Sequence, residues 1–141
     1  MATESTFVYD ESFIAAEDLS SCQYYIVSSS ADGYVAKCTA SSGGISVVTR
    51  AIGILQNNPT SGHAAIVRML GKSKVSCSSS GTITISSFVA CSTAGQAMTA
   101  TTGCLVLGPV MKASSTAAAS GVLAEVFLHG PFLYQAAGAT A

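Results

Sequence analysis

Two histidines, His63 and His129, are the natural starting points for acid–base chemistry, because imidazole changes charge near neutral pH. His63 follows a turn glycine and His129 closes a strand-like run. Neither has an acid or nucleophile beside it at a catalytic spacing, so both read as surface or capping residues. Serines are abundant, yet there is no G-x-S-x-G elbow and no S-x-x-K pair. No G-x-G-x-x-G or Walker loop is present to cradle a phosphate. The five cysteines (Cys22, Cys38, Cys77, Cys91, Cys104) are odd in number, widely spaced and without a C-x-x-C pair, which is neither a disulfide framework nor a zinc pattern. They read as free, buried thiols. The acids crowd at the front of the chain, where a rigid, water-excluding site is not expected. The expectation is a protein that is not an enzyme and holds no metal or cofactor.

The charges carry more information than the nucleophiles. Residues 1–32 hold Glu4, Asp10, Glu11, Glu17, Asp18 and Asp32 and no Lys or Arg; from residue 33 onward Lys37, Arg50, Arg68, Lys72, Lys74 and Lys112 face the single acid Glu125. This asymmetry suggests that the acidic front lies against a basic surface, its own or a neighbour's. Arg68, Lys72 and Lys74 are close together, with Lys72 and Lys74 on one strand face. Three cations without interleaved aromatics make a weak nucleic-acid footprint. They fit better as docking partners for Asp10 and Glu11.

The elements that must position these residues belong to an unusual chain. Of 141 residues, 49% are hydrophobic and only 9% charged, with mean hydropathy +0.50. Ordinary soluble domains carry roughly 25% charged residues. Such a chain must enter a membrane or bury surface against other chains. No apolar run reaches the ~18 residues of a spanning helix: GCLVLGPVM is short and broken, and the last apolar stretch contains Glu125, His129 and Pro131. The start, MATESTFVYDESF, lacks the features of a signal peptide. A chain made in the cytosol that buries surface by assembly is expected, with a single core.

Three regions are expected. Residues 1–20 form an arm in which Phe7, Val8, Tyr9, Phe13 and Ile14 sit among acids, without a clear helical period, although a short helix near 11–19 stays open. Residues 21–134 form a β body, in which runs rich in Val, Ile, Thr and Tyr alternate with Gly/Ser/Asn turns every eight to twelve residues. Residues 135–141, QAAGATA, form a flexible tail. The strand-like runs are QYYIVSS, GYVAKCT, SVVTRAIGILQ, HAAIVRMLG, KSKVSCSS, TITISSFVACS, CLVLGPVMKA and VLAEVFLHG. The fold class is all-β, a small barrel or sandwich.

One pattern is written twice. SGHAAIVRMLG at 61–71 returns as SGVLAEVFLHG at 120–130, with Gly62/Gly121, Ala65/Ala124, Val67/Val126 and Gly71/Gly130 at equal offsets. Each copy follows a glycine-centred run, RAIGILQ with Gly53 and LVLGPVM with Gly108. Two hairpins of one design explain this. Alternation puts Ala65, Val67, Met69 and Ala124, Val126, Leu128 on a core face. Ile66, Arg68, Leu70, Leu123, Glu125, Phe127 and His129 then lie on a face that is half wet or covered by a partner.

The order of these elements resembles the small capsid decoration (cement) proteins of tailed bacteriophages, a family encoded near phage head genes and long described as a domain of unknown function. There an A-x-G strand leads into a G-x-x-A-x-V strand ending in Gly, a Val strand and Gly turn follow, and a second such pair closes the fold. Ala51, Gly53, Gly62, Ala65, Val67, Gly71, Val89, Gly95, Gly108, Gly121 and Val126 match. Ser86 and Ser87 stand where a turn glycine is usual, Pro109 follows Gly108, and the arm is longer than the motif needs. The resemblance implies a β-barrel or β-tulip that assembles as a homotrimer on the outside of a phage head, with the major capsid protein as partner. On that reading the arm side chains Phe7, Val8, Tyr9, Phe13 and Ile14 fill a neighbour's groove or edge. Asp10, Glu11, Arg68, Lys72 and Lys74 set register. The competing expectation is an adhesin or fibre-head module that binds a host-surface ligand; the lack of Trp lowers it.

Overall fold

The computed structural model describes residues 8–39, 51–78, 83–101, 104–113, 121–130 and 132–133. Among these every regular element is a strand: β1 (Tyr9–Ala15), β2 (Ile26–Ala31), β3 (Tyr34–Lys37), β4 (Ala51–Leu55), β5 (Ala64–Ser76), β6 (Phe88–Cys91), β7 (Ala97–Thr99), β8 (Leu105–Lys112), β9 (Leu123–Leu128) and β10 (Phe132–Leu133). The all-β expectation is met.

The strands form one sheet in the order β1-β3-β2-β4-β5-β9-β8-β6-β7. The N-terminal part of β5 also pairs with β1, antiparallel from Tyr9↔Leu70 to Ile14↔Ala64. That pairing closes β1, β3, β2, β4 and β5 into a five-stranded barrel and leaves it no free edge. Beyond Gly71, β5 leaves this barrel and pairs with β9, from Gly71↔Leu128 to Ser76↔Leu123. With β8, β6 and β7 it begins a second ring, which a single parallel bridge, Cys77↔Ala97, brings back to β5.

The two rings have the same plan. In each, a first strand runs antiparallel to the last and parallel to the third: β1 against β5 and β3, then the C-terminal part of β5 against β9 and, through the Cys77 bridge, β7. The β2–β4 ladder slips by a bulge after Val27, and the β6–β8 ladder slips at the equivalent Val89. Backbone bonds repeat as well. Tyr24 N–H donates to Leu55 O and Leu55 N–H to Tyr25 O, as Ser86 does to Val110 and Val110 to Ser87. The bonds between Ala15 and residues 62–63 recur between Cys77 and residues 121–122.

Backbone conformation repeats in step. Positive φ occurs at Tyr24 and Ser86 (65° and 70°), at Gly33 and Gly95 (76° and 80°), at Gly62 and Gly121 (82° and 87°), and at Gly71 and Gly130 (95° and 101°). Gly53 and Gly108 are matched by proximity. A Cβ on Gly53 would meet the Arg68 carbonyl oxygen and one on Gly108 that of Phe127, the same offset in both copies of the repeated stretch. The recurring hairpins are thus part of a whole-barrel duplication, in which β5 serves as last strand of one barrel and first strand of the next.

The cores agree position by position. Ala15, Val27, Val35, Leu55, Ala65 and Val67 fill the first barrel, joined by Phe13, Ile52 and Met69 at its margin. Their counterparts Cys77, Val89, Ala97, Val110, Ala124 and Val126 fill the second, with Val75, Leu107 and Leu128. The expected core face is therefore correct, with Met69 at the rim. The single core needs correction, as does the reading of residues 9–15 as part of a separate arm. Residues 9–15 are a barrel stave and not a separate arm, because β1 closes the ring between β3 and β5. HAAIVRMLG and KSKVSCSS are one strand, since the left-handed Gly71 lets the chain pass between barrels without a break in pairing. Residues 83–87 of the expected TITISSFVACS run form a turn, with Ser87 N–H bonded to Thr84 O at 3.1 Å. The tail, residues 135–141, lies outside the described residues.

Candidate functional site

The outer face of β5 carries the charged and apolar side chains that sequence reasoning singled out. Even-numbered residues point outward: Ile66, Arg68, Leu70, Lys72 and Lys74, while Ala65, Val67, Ser73 and Val75 are buried. β1 lies on one side of this row and β9 on the other, so both barrels contribute to a single surface.

Asp10 sits opposite Arg68 in the β1–β5 ladder, and the guanidinium grips its carboxylate with two nitrogens, Nε at 2.7 Å and Nη2 at 2.9 Å. Nη1 of Arg68 donates to Lys72 O at 3.0 Å, across the Gly71 junction. The Arg68 hydrogen bond holds the Asp10 carboxyl below the ordinary carboxylate range and raises Arg68 in return. Lys72 Nζ is 2.9 Å from Glu125 Oε2 on β9, and this contact lowers the Glu125 pKa. Lys74 Nζ lies 5.9 Å from the Tyr24 ring centroid, a cation–π arrangement. Glu11 turns instead to Tyr9, whose hydroxyl donates to Oε2 at 2.6 Å and has its pKa raised by that bond.

Between these pairs runs a shallow open groove of about 290 Å³, lined by Val8, Tyr24, Gln56, Arg68, Lys72, Ser73, Lys74 and Glu125. Exposed apolar side chains flank it: Val8, Tyr9 and Leu70 toward β1, Phe127 and Leu123 on β9. The Phe127 and His129 rings are 6.5 Å apart at 41°. Chemically, this surface offers paired charges and apolar contact area. It has the makings of a docking face.

The structure joins Asp10 to Arg68, whereas Glu11 bonds to Tyr9 and Lys72 and Lys74 turn to Glu125 and Tyr24. It does not present the arm side chains as one free patch. Phe13 packs against the first core, Tyr9, Ile14 and Val8 stay exposed, and Phe7 lies outside the described residues. Tyr24 and Glu125 were missed as partners of Lys74 and Lys72. The signal for Glu125 was its isolation as the sole acid after residue 32. Gly62, Gly95, Gly121 and Gly130 all occupy positive-φ positions.

His63 is a turn residue, exposed, with Nδ1 2.8 Å from the Thr60 hydroxyl. None of the five cysteines forms a disulfide; four are buried and Cys104 is partly so. Burial pushes the Cys77 thiol up. Among the described residues no group of three His, Cys, Asp or Glu side chains could hold a metal ion.

No family model and no curated protein matches the chain. Among solved structures, it is similar to the N base of the head fiber protein gp8.5 of bacteriophage phi29, with TM-score 0.55, 13% identity, and coverage of 92% of this chain and 100% of that one. At that identity the likeness establishes a shared fold, a β architecture that a phage head fiber base also uses.

Proposed function

We propose that this chain is a structural protein of a bacteriophage head: a decoration protein that binds the outer surface of the shell as a homotrimer and stabilises contacts between major capsid subunits. One observation carries the reading: over nearly its whole length the chain shares the fold of a phage head fiber base. The sequence resemblance to phage decoration proteins points the same way, and so does a composition with 9% charge. The role is adhesive and not catalytic, and it needs neither cofactor nor nucleic acid.

The physics of such a role is modest contact multiplied by number. A standard interface buries about 800 Å² per partner. Apolar area returns roughly 25 cal/mol per Å² before the cost of association is subtracted. One contact of this size can be weak, but several made at once by one oligomer raise effective affinity by on the order of 100-fold. Tyr9, Leu70 and Phe127 on the β1–β5–β9 face supply apolar contact, and the ion pairs beside them fix register, each worth only about 0–1 kcal/mol.

A fibre module that reaches a host-surface ligand is the second reading, favoured because the similar solved structure is the base of a fiber. Incubating purified full-length protein with undecorated heads separates the two. Saturable co-sedimentation with heads supports decoration. Binding to host envelopes or glycans, with none to heads, supports the fibre module.

A further inference from the structure

The two barrels meet along an apolar seam. Ile26, Cys38, Ala51 and Ile54 of the first barrel pack into the core cluster of the second. On the second-barrel side stands the turn between β6 and β7, closed by Ser92 N–H to Gln96 O at 2.7 Å and Gly95 N–H to Ser92 O at 3.2 Å. Ile26 N–H reaches across to Gly95 O at 2.7 Å. A Cβ on Gly95 would lie 3.2 Å from Cys38 O and closer still to Lys37 Cγ, so this turn rests directly on the chain that leaves β3. Among the described residues the chain itself passes between the barrels once, along β5.

Two cysteines face each other across this seam. Cys38 follows β3 and Cys91 ends β6, 53 residues further along the chain. Cys91 Sγ lies 3.2 Å from Cys38 O. Its thiol also hydrogen-bonds to the Cys38 sulfur, and that bond lowers the Cys38 pKa in spite of burial. The two sulfurs are therefore neighbours, one from each barrel. The other thiols stand apart from them. Cys77 and Cys91 are on opposite sides of Ala97 in β7, two strand spacings or roughly 9.5 Å apart, beyond the ~7 Å Cα limit of a disulfide. Cys22 belongs to the first core, and Cys104 lies beside the Thr101 hydroxyl at 3.3 Å.

We propose that Cys38 and Cys91 are an oxidation site whose disulfide forms a second covalent tie between the two barrels. The oxidant is a peroxide, small enough to enter from the side of Cys91, which is 8% exposed against 1% for Cys38. The Cys38 thiolate attacks one peroxide oxygen and the O–O bond breaks, leaving a sulfenic acid and a hydroxide that takes up the Cys38 proton as water. The Cys91 sulfur then displaces the remaining oxygen. The S–O bond breaks, the S–S bond forms, and the Cys91 proton leaves with that oxygen as a second water. Two thiols have lost two electrons and one peroxide has gained them. Sulfurs already in contact need only close to about 2.05 Å by turning about their Cα–Cβ bonds. With the tie in place the seam cannot open, and both barrels hold one outer surface. The inference does not depend on shell binding.

The test uses full-length protein, purified under dithiothreitol, freed of it and exposed to equimolar hydrogen peroxide. Thiols are then alkylated in denaturant and counted by intact mass. The count should fall from five to three, and peptide mapping should find Cys38 joined to Cys91. Thermal melts by circular dichroism should rise by roughly 6–15 °C, the gain expected of a bond that closes a long loop, and dithiothreitol should reverse the rise. Cys38→Ala and Cys91→Ala should each abolish it, whereas Cys104→Ala should keep it. The mapping is done on wild type, so it stands even if a buried variant fails to fold. Four results overturn the inference: five thiols after oxidation, a disulfide mapped to another pair or between chains, Cys38 oxidised to a sulfinic acid without a bond to Cys91, or a melting rise that survives in Cys38→Ala.

Discussion

Replacing Gly53 or Gly108 with alanine tests the duplication where it is most tightly drawn. A Cβ on Gly53 would overlap the Arg68 carbonyl oxygen and lie 2.8 Å from Val67 Cγ1; one on Gly108 would overlap the Phe127 carbonyl oxygen and lie 2.8 Å from its carbon. The two carbonyl groups are backbone obstacles, which no rotamer change can clear. To restore ordinary contact, β4 must part from β5, or β8 from β9, by about 1 Å. That stretches the adjoining ladder hydrogen bonds past useful length, at about 1 kcal/mol each, and overpacking adds about 1–3 kcal/mol. Each substitution should cost about 2–4 kcal/mol. In a chain of 141 residues that corresponds to a fall in Tm of about 6–12 °C. Gly121→Ala is the control, with nothing within 4 Å of its Cβ and only a left-handed φ of +87° to offend, a cost of about 1–2 kcal/mol. Thermal melts by circular dichroism read all three. If Gly53→Ala and Gly108→Ala melt no lower than Gly121→Ala, the close approach of paired strands at equivalent points is wrong.

Three further outcomes follow from the same geometry. The Asp10 pKa is lowered by Arg68, so the stability it adds is present above the unfolded carboxylate range of about 3.9 and fades as pH falls through the lower folded value; Asp10→Asn should flatten the fall in Tm below about pH 4, and an unchanged acid limb would count against the bond. Ser86 holds φ 70° where a glycine pays no Cβ penalty, so Ser86→Gly should raise stability by about 0.5–1 kcal/mol, read as a higher denaturant midpoint at constant m. Removing residues 1–15 should leave no closed first barrel, seen as lost hydrogen-exchange protection across 51–55 and 64–70; retained protection there would restore the arm as an appendage.

The sequence announced the second half of each barrel and concealed the first. β5 and β9 alternate cleanly, and the recurrence of Gly, Ala and Val at fixed offsets was visible as letters. The first halves repeat only as conformation. Tyr24 and Ser86 share a left-handed backbone without sharing chemistry, and the cores exchange Ala15 for Cys77 and Val35 for Ala97. β1 was obscured because its outward Asp10 and Ser12 made it look like a solvated arm; its inward Phe13 and Ala15 are the core signal. β7 is three residues long, too short for a period to show. Gly71 looked like a stop because a strand rarely carries a left-handed residue, and only the second barrel explains why this one does. The charged face was legible because opposite charges in one short chain tend to meet. That Arg68 would choose Asp10, and Lys72 the distant Glu125, depended on registers that no composition reveals.

The central claim is that this fold serves as an adhesive on a phage head, and the direct measurement is cryo-electron microscopy of undecorated heads mixed with purified full-length protein. The account predicts added density at regular positions outside the shell, with the β1–β5–β9 face toward capsid subunits and occupancy that falls for Phe127→Glu. Bare shells at saturating protein, with the chain found instead on host-cell surfaces, would contradict it.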